Sequence, residues 1–407
     1  MKVLMLSPIF PYPLNLGAKI RIYYVLRELA RAGHEVTLVC LNEEGIKPLE
    51  LEVIKSYCRR LEIVPVKLKS RTWTALRALF SHKTYGLAKF ESVELRKRIA
   101  DTLCEPYDVV WVHFMESLAY LPDFSLHPKP LVILDQHNAD ELFWANYARS
   151  GLPWVRFFAW QNIWKLRWFQ RQVLRIVDVV LSVSEEDAAF TRMCLPNPST
   201  QVWVVPNGVD TEYFQPQSNK ERQNRIIFCG AMDIFMNIDA VVWFARNVFP
   251  KVREAVPDAE FWIVGRDPTP DVRALGAIPG VYVTGRVEDV RPYYAKAKVA
   301  IAPFRYGGGT KLKILEAMAS GVPVVATPIG CQGIKAVSGR HLFIAERGEV
   351  FTNWVITLLR EGALRERVAV EARRLVEQEY SWQGILREPI SRLEQLVNMQ
   401  SGSAKYI

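Results

Sequence analysis

The stretch VAIAPFRYGGGTKLKILEAMASGVPVVATP, residues 299–328, reads as a strand, a three-glycine loop, a helix and a second strand. Val299 to Phe304 is an apolar, partly β-branched run of the kind that parallel sheets bury on both faces, and it stops at Arg305-Tyr306. Gly307, Gly308 and Gly309 lack a Cβ, so the loop can take left-handed backbone angles and let a ligand approach the main chain. Thr310 is placed to cap the following helix, whose first-turn N–H groups are unpaired and carry partial positive charge, which makes that end an anion site. Lys311 adds a full charge there. Glu316 follows about 9 Å along the helix axis, where it could accept hydrogen bonds from a sugar. A phosphate-binding helix end with a sugar-binding carboxylate behind it suits a nucleotide sugar. The simpler alternative is a tight turn with a solvated Glu, which a glycine-rich turn alone would favour. Three glycines, a Lys and a Glu between two buried strands favour a ligand site, and parallel sheets bind ligands beyond the carboxyl ends of their strands.

At 407 residues, half of them hydrophobic, the chain is long enough for two domains with separate cores. No long low-complexity tract or solenoid repeat occurs, and disorder is expected only in the tail, residues 400–407. The N-terminal MKVLMLSPIFPYP has too short an apolar run for a secretory leader, with Pro8, Pro11 and Pro13 interrupting it, and reads as a first core strand. No apolar stretch is long enough to cross a bilayer. Cys40, Cys58, Cys104, Cys194, Cys229 and Cys331 contain no CxxC pair and read as reduced core residues of a cytoplasmic protein.

The first half alternates strand and helix: KVLMLSP, a helix from about residue 18 to 32, EVTLVCL, an amphipathic region, YDVVWVHF, LVILDQH, a long helix and VDVVLSVS. A second series follows the turn-rich segment after Val205: RIIFCG, a helix over 237–256, AEFWIVG, VYVTGRV, a helix over 290–297, KVAIAPF, the glycine loop with its helix, VPVVATP and HLFIAE. Helices over 350–380 and 382–398 close the chain. Strands separated by helices imply parallel sheets covered on both faces, so the expected fold is α/β with two doubly wound Rossmann-like domains facing one another across a cleft.

In the first domain, Gly17 with Lys19 and Arg21 stands at a helix start and is a second candidate anion site, with an ordinary surface loop as the equal alternative. His137 lies just past the strand LVILD, and His113 lies within VVWVHF; both fall near strand ends where a ligand would bind. Residues 63–90 and 142–177 each carry six basic groups and no acid, so the net charge of +9 has two local concentrations. Over residues 154–177, Phe157, Trp160, Trp164 and Trp168 share a helical face with Arg167, Arg171 and Arg175, while Phe158, Leu166, Phe169, Val173 and Ile176 fall opposite. Two readings stay open for the first face: an interface with anionic lipid headgroups or a lipid-linked acceptor, or packing of the Trp rings on another element. No helix-turn-helix or RNA-binding signature accompanies these basic segments, so nucleic acid is not an expected partner.

PYPLNLGAKIR, GHEVTLVC, DQHNADE, VSEEDAAF, VPNGVDTEYF, DAVVWFA, VGRDP, the run from VTGRVEDV through VVATP, and EYSW together make the chain resemble GT-B glycosyltransferases of the large retaining family 4 group. More narrowly, it resembles the sugar transferases of bacterial exopolysaccharide and exosortase systems. The resemblance implies an N-terminal acceptor-side domain over 1–206, a C-terminal nucleotide-sugar domain over 207–383, and a last helix, about 384–400, packing back on the first domain. It implies transfer from a UDP-sugar or GDP-sugar to a glycan or lipid-linked acceptor, with no further cofactor; the Trp and Arg face and the basic segment 63–90 are what point such a cytoplasmic enzyme to the inner face of the cell membrane. By the same resemblance Glu316 binds the donor ribose, the main chain from Gly307 through Gly308, Gly309, Thr310 and Lys311 to Leu312 cradles the pyrophosphate, Arg286 and Val287 lie beside the base, Gly17 lies beside the distal phosphate, and His137 lies near the sugar. The acceptor side would carry Lys19, Arg21, Trp160, Trp164, Arg167, Trp168 and Arg171.

Two departures from the family pattern stand out. Gly308 replaces a Glu that contacts the donor sugar, and Asp233 and Asn237 stand in the segment where the family has an Arg and a Lys. Lys311, helped by Arg266, is the candidate for the missing phosphate charge, and His137, Glu316 and Lys311 are the candidate catalytic residues. The chain has no Asp-x-Asp pair and a cation with a helix end can neutralise a diphosphate, so no metal is inferred. The same fold could also serve a sugar epimerase, a transferase to a soluble acceptor, or a non-catalytic binding protein.

Overall fold

A computed structural model describes residues 1–403 apart from 43–44, 67–69, 123, 125–128, 138–140, 142–143, 145–152, 218–221 and 308. It divides into two compact units, Met1–Pro206 with Leu386–Ile407, and Asn207–Ile385. Each is a Rossmann-like α/β unit built on a wholly parallel sheet.

The first unit has seven strands: β1 Lys2–Ser7, β2 Glu35–Asn42, β3 Arg60–Pro65, β4 Val109–His113, β5 Leu131–Asp135, β6 Val179–Ser182 and β7 Gln201–Val204. Their order is β3-β2-β1-β4-β5-β6-β7, so the sheet is wound outward in both directions from β1 and β4. β4 and β5 are buried at every position, as strands covered on both faces must be. The two edge strands, β3 and β7, escaped the sequence reading. Arg60 and Glu62 interrupt the apolar pattern of β3, which lies in the region taken as amphipathic, and β7 is only four residues long.

The second unit has six strands: β8 Gln223–Cys229, β9 Glu260–Val264, β10 Val281–Gly285, β11 Ala297–Ala302, β12 Val324–Ala326 and β13 Phe343–Ile344, in the order β10-β9-β8-β11-β12-β13. Its core joins Phe228, Phe244, Phe249, Phe261 and Phe351 with the apolar face of the helix Leu312–Ala319. The helix expected over 237–256 begins at Phe235 and carries one wide π turn, Phe244–Val248, immediately before Phe249-Pro250, because proline cannot donate the next helical hydrogen bond. The single helix expected over 350–380 is two, Glu349–Arg360 and Gly362–Glu379, separated at Glu361, whose backbone is extended. The final helix, Trp382–Ser403, runs into the tail that was expected to be disordered, and residues 404–407 lie outside the described residues.

Each strand order reverses once, between β1 and β4 and between β8 and β11. Loops leaving the carboxyl ends of such strand pairs diverge to opposite faces of the sheet and open a crevice for ligands. In the second unit those loops are the segment after β8, from Gly230, and the glycine loop after β11. In the first unit they are the segment after β1 leading to Gly17 and the turn after β4 at Phe114.

Candidate functional site

The glycine loop is shaped by its backbone angles. Gly307 and Gly309 take φ of +97° and +70°, and a Cβ on Gly307 would lie 2.1 Å from Met236 Sδ. Gly308, where the family's Glu is replaced, lies outside the described residues. Lys311 bends back over the loop, its Nζ donating to the Gly307 carbonyl at 3.2 Å and the Gly309 carbonyl at 3.0 Å. Burial pulls its ammonium down to about 8.

Thr310 does not cap the helix. The capping position falls one residue later, at Lys311, whose side chain makes no cap bond, and the helix begins at Leu312. Thr310 is instead 92% buried, and its Oγ1 has no partner among the described residues. A buried hydroxyl without a partner costs about 1–3 kcal/mol, a cost that a bound oxygen anion would relieve.

A second cation at this helix end was missed from the sequence. Lys313 Nζ donates to Asn237 Oδ1 at 2.7 Å, while Asn237 Nδ2 donates to the Ala231 carbonyl at 2.8 Å. The ammonium also lies 4.1 Å from the Phe228 ring centroid and 4.9 Å from that of Phe304. Among the described residues no carboxylate oxygen lies within ion-pair distance of Lys313, and burial pulls its pKa down to about 7. Asn237 is one of the two residues that depart from the family pattern after β8, so the cation absent there in sequence arrives in space from the helix after β11. A Cβ on Gly230 would lie 2.6 Å from this ammonium and 3.0 Å from Asn237 Nδ2, so a side chain there would displace the Lys313 head from its place beside Asn237. The signal available in the sequence was the second Lys of TKLK, two residues after the first.

Glu316 is half-buried on the same helix and accepts from the Tyr294 hydroxyl at 3.3 Å. Burial raises its pKa, against the opposing pull of Tyr294 and Lys313. Leu312 opens the helix and packs against the core. Arg266 is already matched by acids: it pairs with Asp267 and lies 3.7 Å from Asp233. Arg286 is exposed and lines an open cavity of about 670 Å³ with Asp267, Arg273, Tyr282 and Gly285, while Val287 packs on the core.

In the first unit, Gly17 is the exposed first residue of the helix Gly17–Arg31, and Lys19 Nζ donates to the Tyr12 carbonyl at 3.3 Å. Arg21 is not a surface cation of the acceptor side. It is 1% exposed, and its Nε donates to Asp135 Oδ1 at 2.7 Å while Nη1 donates to the Val205 carbonyl at 2.9 Å. The helix turns this side chain onto the carboxyl end of β5, where buried Asp135 requires a counter-charge. Burial alone would raise the Asp135 pKa, but Arg21, His113 and His137 hold it below the ordinary value.

His113 and His137, 24 residues apart, are brought together beside Asp135. His113 Nδ1 lies 3.2 Å from His137 Nε2 and 3.4 Å from Asp135 Oδ2. Burial keeps both imidazoles neutral, pulling His113 down to about 4 and His137 well below its ordinary value. The three residues offer ligand atoms within 4.8 Å of one another, a donor set that could hold a cation, but the Arg21 guanidinium already neutralises the single carboxylate. Phe114 stacks on the His137 ring at 4.2 Å and 10°, held by a left-handed backbone of φ +65° that is unfavourable for a bulky residue.

The aromatic helix is Pro153–Val173. Trp160, Trp164 and Trp168 are 71%, 66% and 53% exposed, whereas Leu166 and Phe169 are buried, so the Trp face packs on no other element of the described structure. Arg167 Nε is held by Glu141 Oε1 at 2.6 Å, and Arg171 and Arg175 are exposed. The short helix Arg71–Leu79 lies alongside, with Gln161 Nε2 donating to the Leu79 carbonyl at 3.0 Å and Lys165 to the Ala78 carbonyl; it adds exposed Trp73, Leu76 and Phe80 to the same region. No helix among the described residues is long and apolar enough to cross a membrane.

Two parallel-sheet units with a glycine loop at the reversal point of the second sheet define a GT-B fold, and the comparisons with known proteins agree. Residues 17–213 match the model of glycosyltransferase family 4 and residues 223–361 that of glycosyl transferases group 1. The chain belongs to the family 4 group of GT-B glycosyltransferases. It is similar to the MMP alpha-(1->4)-mannosyltransferase of Mycolicibacterium hassiacum, at 26% identity over 94% of this chain and 95% of that one. It is also similar to a 44.6 kDa protein of the cps region of Klebsiella pneumoniae, at 20% identity over 93% and 96%. Among solved structures, Anabaena HepE in complex with UDP and glucose superposes with a TM-score of 0.66 at 14% identity, covering 97% of this chain and 100% of that one, a likeness of fold.

Proposed function

We propose that this glycosyltransferase moves a sugar from a nucleoside-diphosphate donor, a UDP-sugar or GDP-sugar, to a polysaccharide or lipid-linked acceptor in bacterial surface-glycan synthesis, with retention of anomeric configuration. The observation that carries the reading is the cradle at the start of the helix Leu312–Ala319. Two lysines, a buried Thr310 hydroxyl and two left-handed glycines converge there, and among the described residues the hydroxyl has no partner and no carboxylate pairs with Lys313. Such a site suits a diphosphate, with Lys311, Lys313 and the helix N–H groups taking its charge and Glu316 accepting from the ribose. His137 is assigned to the sugar. The carbon–oxygen bond to the diphosphate breaks as the acceptor oxygen bonds to the anomeric carbon from the same face, and the departing phosphate oxygen takes the acceptor's hydroxyl proton. The protein's part is to position the reactants and stabilise the leaving charge.

The exposed Trp face with its arginines, and the neighbouring Trp73 and Phe80, support an anionic membrane surface as the place where a lipid-linked acceptor is met, on the cytoplasmic side. UDP in HepE and the mannosyl transfer named for the Mycolicibacterium relative make UDP-sugars and nucleotide-activated mannose the first donors to try. A thermal-shift panel of nucleoside diphosphates and nucleotide sugars tests the donor reading, because a ligand that binds only the folded state raises its apparent stability. A rise in Tm with one nucleotide series, lost in Glu316→Ala, is expected; no shift with any of them would sink the reading.

A further inference from the structure

The contact between His113 Nδ1 and His137 Nε2 needs a single proton, and the surroundings decide which ring supplies it. If His137 Nε2 held the proton, His113 Nδ1 would present a lone pair to Asp135 Oδ2, 3.4 Å away, and His113 would carry its own proton on Nε2. That Nε2 is buried and has no hydrogen-bond partner among the described residues, so the N–H would be an orphaned donor beside an ionised carboxylate left facing a lone pair. With the proton on His113 Nδ1 both faults disappear. The N–H points at His137 Nε2, its positive end lies close to Asp135 Oδ2, and the buried Nε2 of His113 is only an unpaired acceptor. Arg21, bonded to Asp135 Oδ1, keeps the carboxylate ionised and therefore keeps this choice in force.

We infer that His113, backed by Asp135 and Arg21, is a positioning residue that fixes His137 in the Nδ1–H tautomer, so that His137 serves the substrate as a hydrogen-bond donor and not as a base. Because Nε2 is occupied as an acceptor, Nδ1–H is the only polar atom of that ring left to meet a ligand, and it makes no hydrogen bond within the described structure. The Phe114 ring stacked on the imidazole holds its plane, and this purpose gives a reason for the left-handed backbone at Phe114. The partner chemistry is an acceptor oxygen, a sugar hydroxyl or a phosphate oxygen of the donor. This assignment of His137 to a sugar nucleotide rests on the function proposed above, whereas the tautomer does not.

The test uses the full chain labelled with ¹⁵N-histidine. Long-range ¹H–¹⁵N spectra of the ligand-free protein distinguish a protonated from an unprotonated ring nitrogen, and the His137 signals are assigned by their loss in His137→Asn. The expected pattern is a protonated Nδ1 and an unprotonated Nε2; a protonated Nε2 in the wild-type protein would overturn the inference. In His113→Leu the donor is gone and His137 should shift towards the Nε2–H form, while His113→Gln, whose amide can donate, should restore Nδ1–H. An unchanged Nδ1–H in a folded His113→Leu would show that His113 does not set the tautomer. Transfer activity on the donor found by thermal shift should fall about ten-fold or more in kcat for His113→Leu, with KM little altered, and recover in part in His113→Gln. The spectra are read without donor, so a protein that keeps the expected tautomer yet turns over no nucleotide sugar would refute the functional reading and leave this one standing.

Discussion

Replacing Lys313 by Met tests the diphosphate cradle through protons as well as affinity. The buried ammonium has a pKa of about 7 and that of Lys311 about 8, each lowered by burial, so in the ligand-free protein both lose protons in the ordinary buffer range. A bound diphosphate favours the charged forms and raises both values, so binding must take up protons wherever the free lysines have lost them. At pH 8 a group of pKa 7 is about nine-tenths deprotonated and one of pKa 8 about half, so uptake should be about 1.4 protons per donor bound. At pH 6 it should be about 0.1. Affinity should accordingly weaken as pH rises from 7 to 9. Calorimetry of a nucleotide sugar, whose diphosphate is esterified at both ends, in buffers of different ionisation enthalpy reads the uptake directly. In Lys313→Met, uptake at pH 8 should drop to about 0.5, the share of Lys311, and Kd should rise by about 10- to 150-fold for the loss of a charged hydrogen bond worth 1.5–3 kcal/mol. Equal uptake in wild type and Lys313→Met, or none at pH 8 in either, would refute the argument.

Arg21→Met leaves Asp135 buried and unpaired, and should cost about 3–5 kcal/mol in urea unfolding at pH 7. Arg21 keeps the Asp135 pKa below its unfolded value, so the pair's contribution is present above the unfolded value of about 4 and fades as pH falls through the folded one; the wild-type advantage should shrink on acidification below that point. Gly307→Ala places a methyl on Met236 Sδ and forces a left-handed angle on a residue with a Cβ; Tm should drop by the equivalent of about 1–3 kcal/mol, and the donor-induced thermal shift should vanish. Replacing Trp160, Trp164 and Trp168 together by Ser should abolish co-sedimentation with phosphatidylglycerol vesicles while leaving Tm nearly unchanged, since all three rings are exposed; retained binding would remove the membrane surface from the proposal.

Much of the architecture was readable in the chain because its strands are continuous apolar runs and its helices begin and end at glycine, proline and charge. β4, β5 and β11 were legible for that reason. β3 and β7 were not, since edge strands need bury only one face and tolerate Arg60, Glu62 or a four-residue length. At the candidate site the glycine loop, Lys311 and Glu316 were legible as a local pattern, and His137 by its place after a strand. The role suggested for Thr310 failed because cap position depends on where the backbone enters the helix, and the loop enters one residue later. The place of Arg21 failed because a charged residue at a helix start looks the same in sequence whether it meets water or a buried carboxylate.

Spacing and residue type were enough to establish the alternating α/β order, the glycine loop with its lysine and glutamate, and the Trp face of the long helix, because each of these depends on neighbours a few residues away. Strand order decided the rest. It set Lys313 against Asn237, 76 residues apart, across the reversal between β8 and β11. It also put Arg21 on Asp135, 114 residues away, with His113 and His137 beside them at the ends of the adjacent strands β4 and β5. Buried charges and shared protons take their state from whatever groups the fold places within a few ångströms, and that proximity has no trace in local sequence.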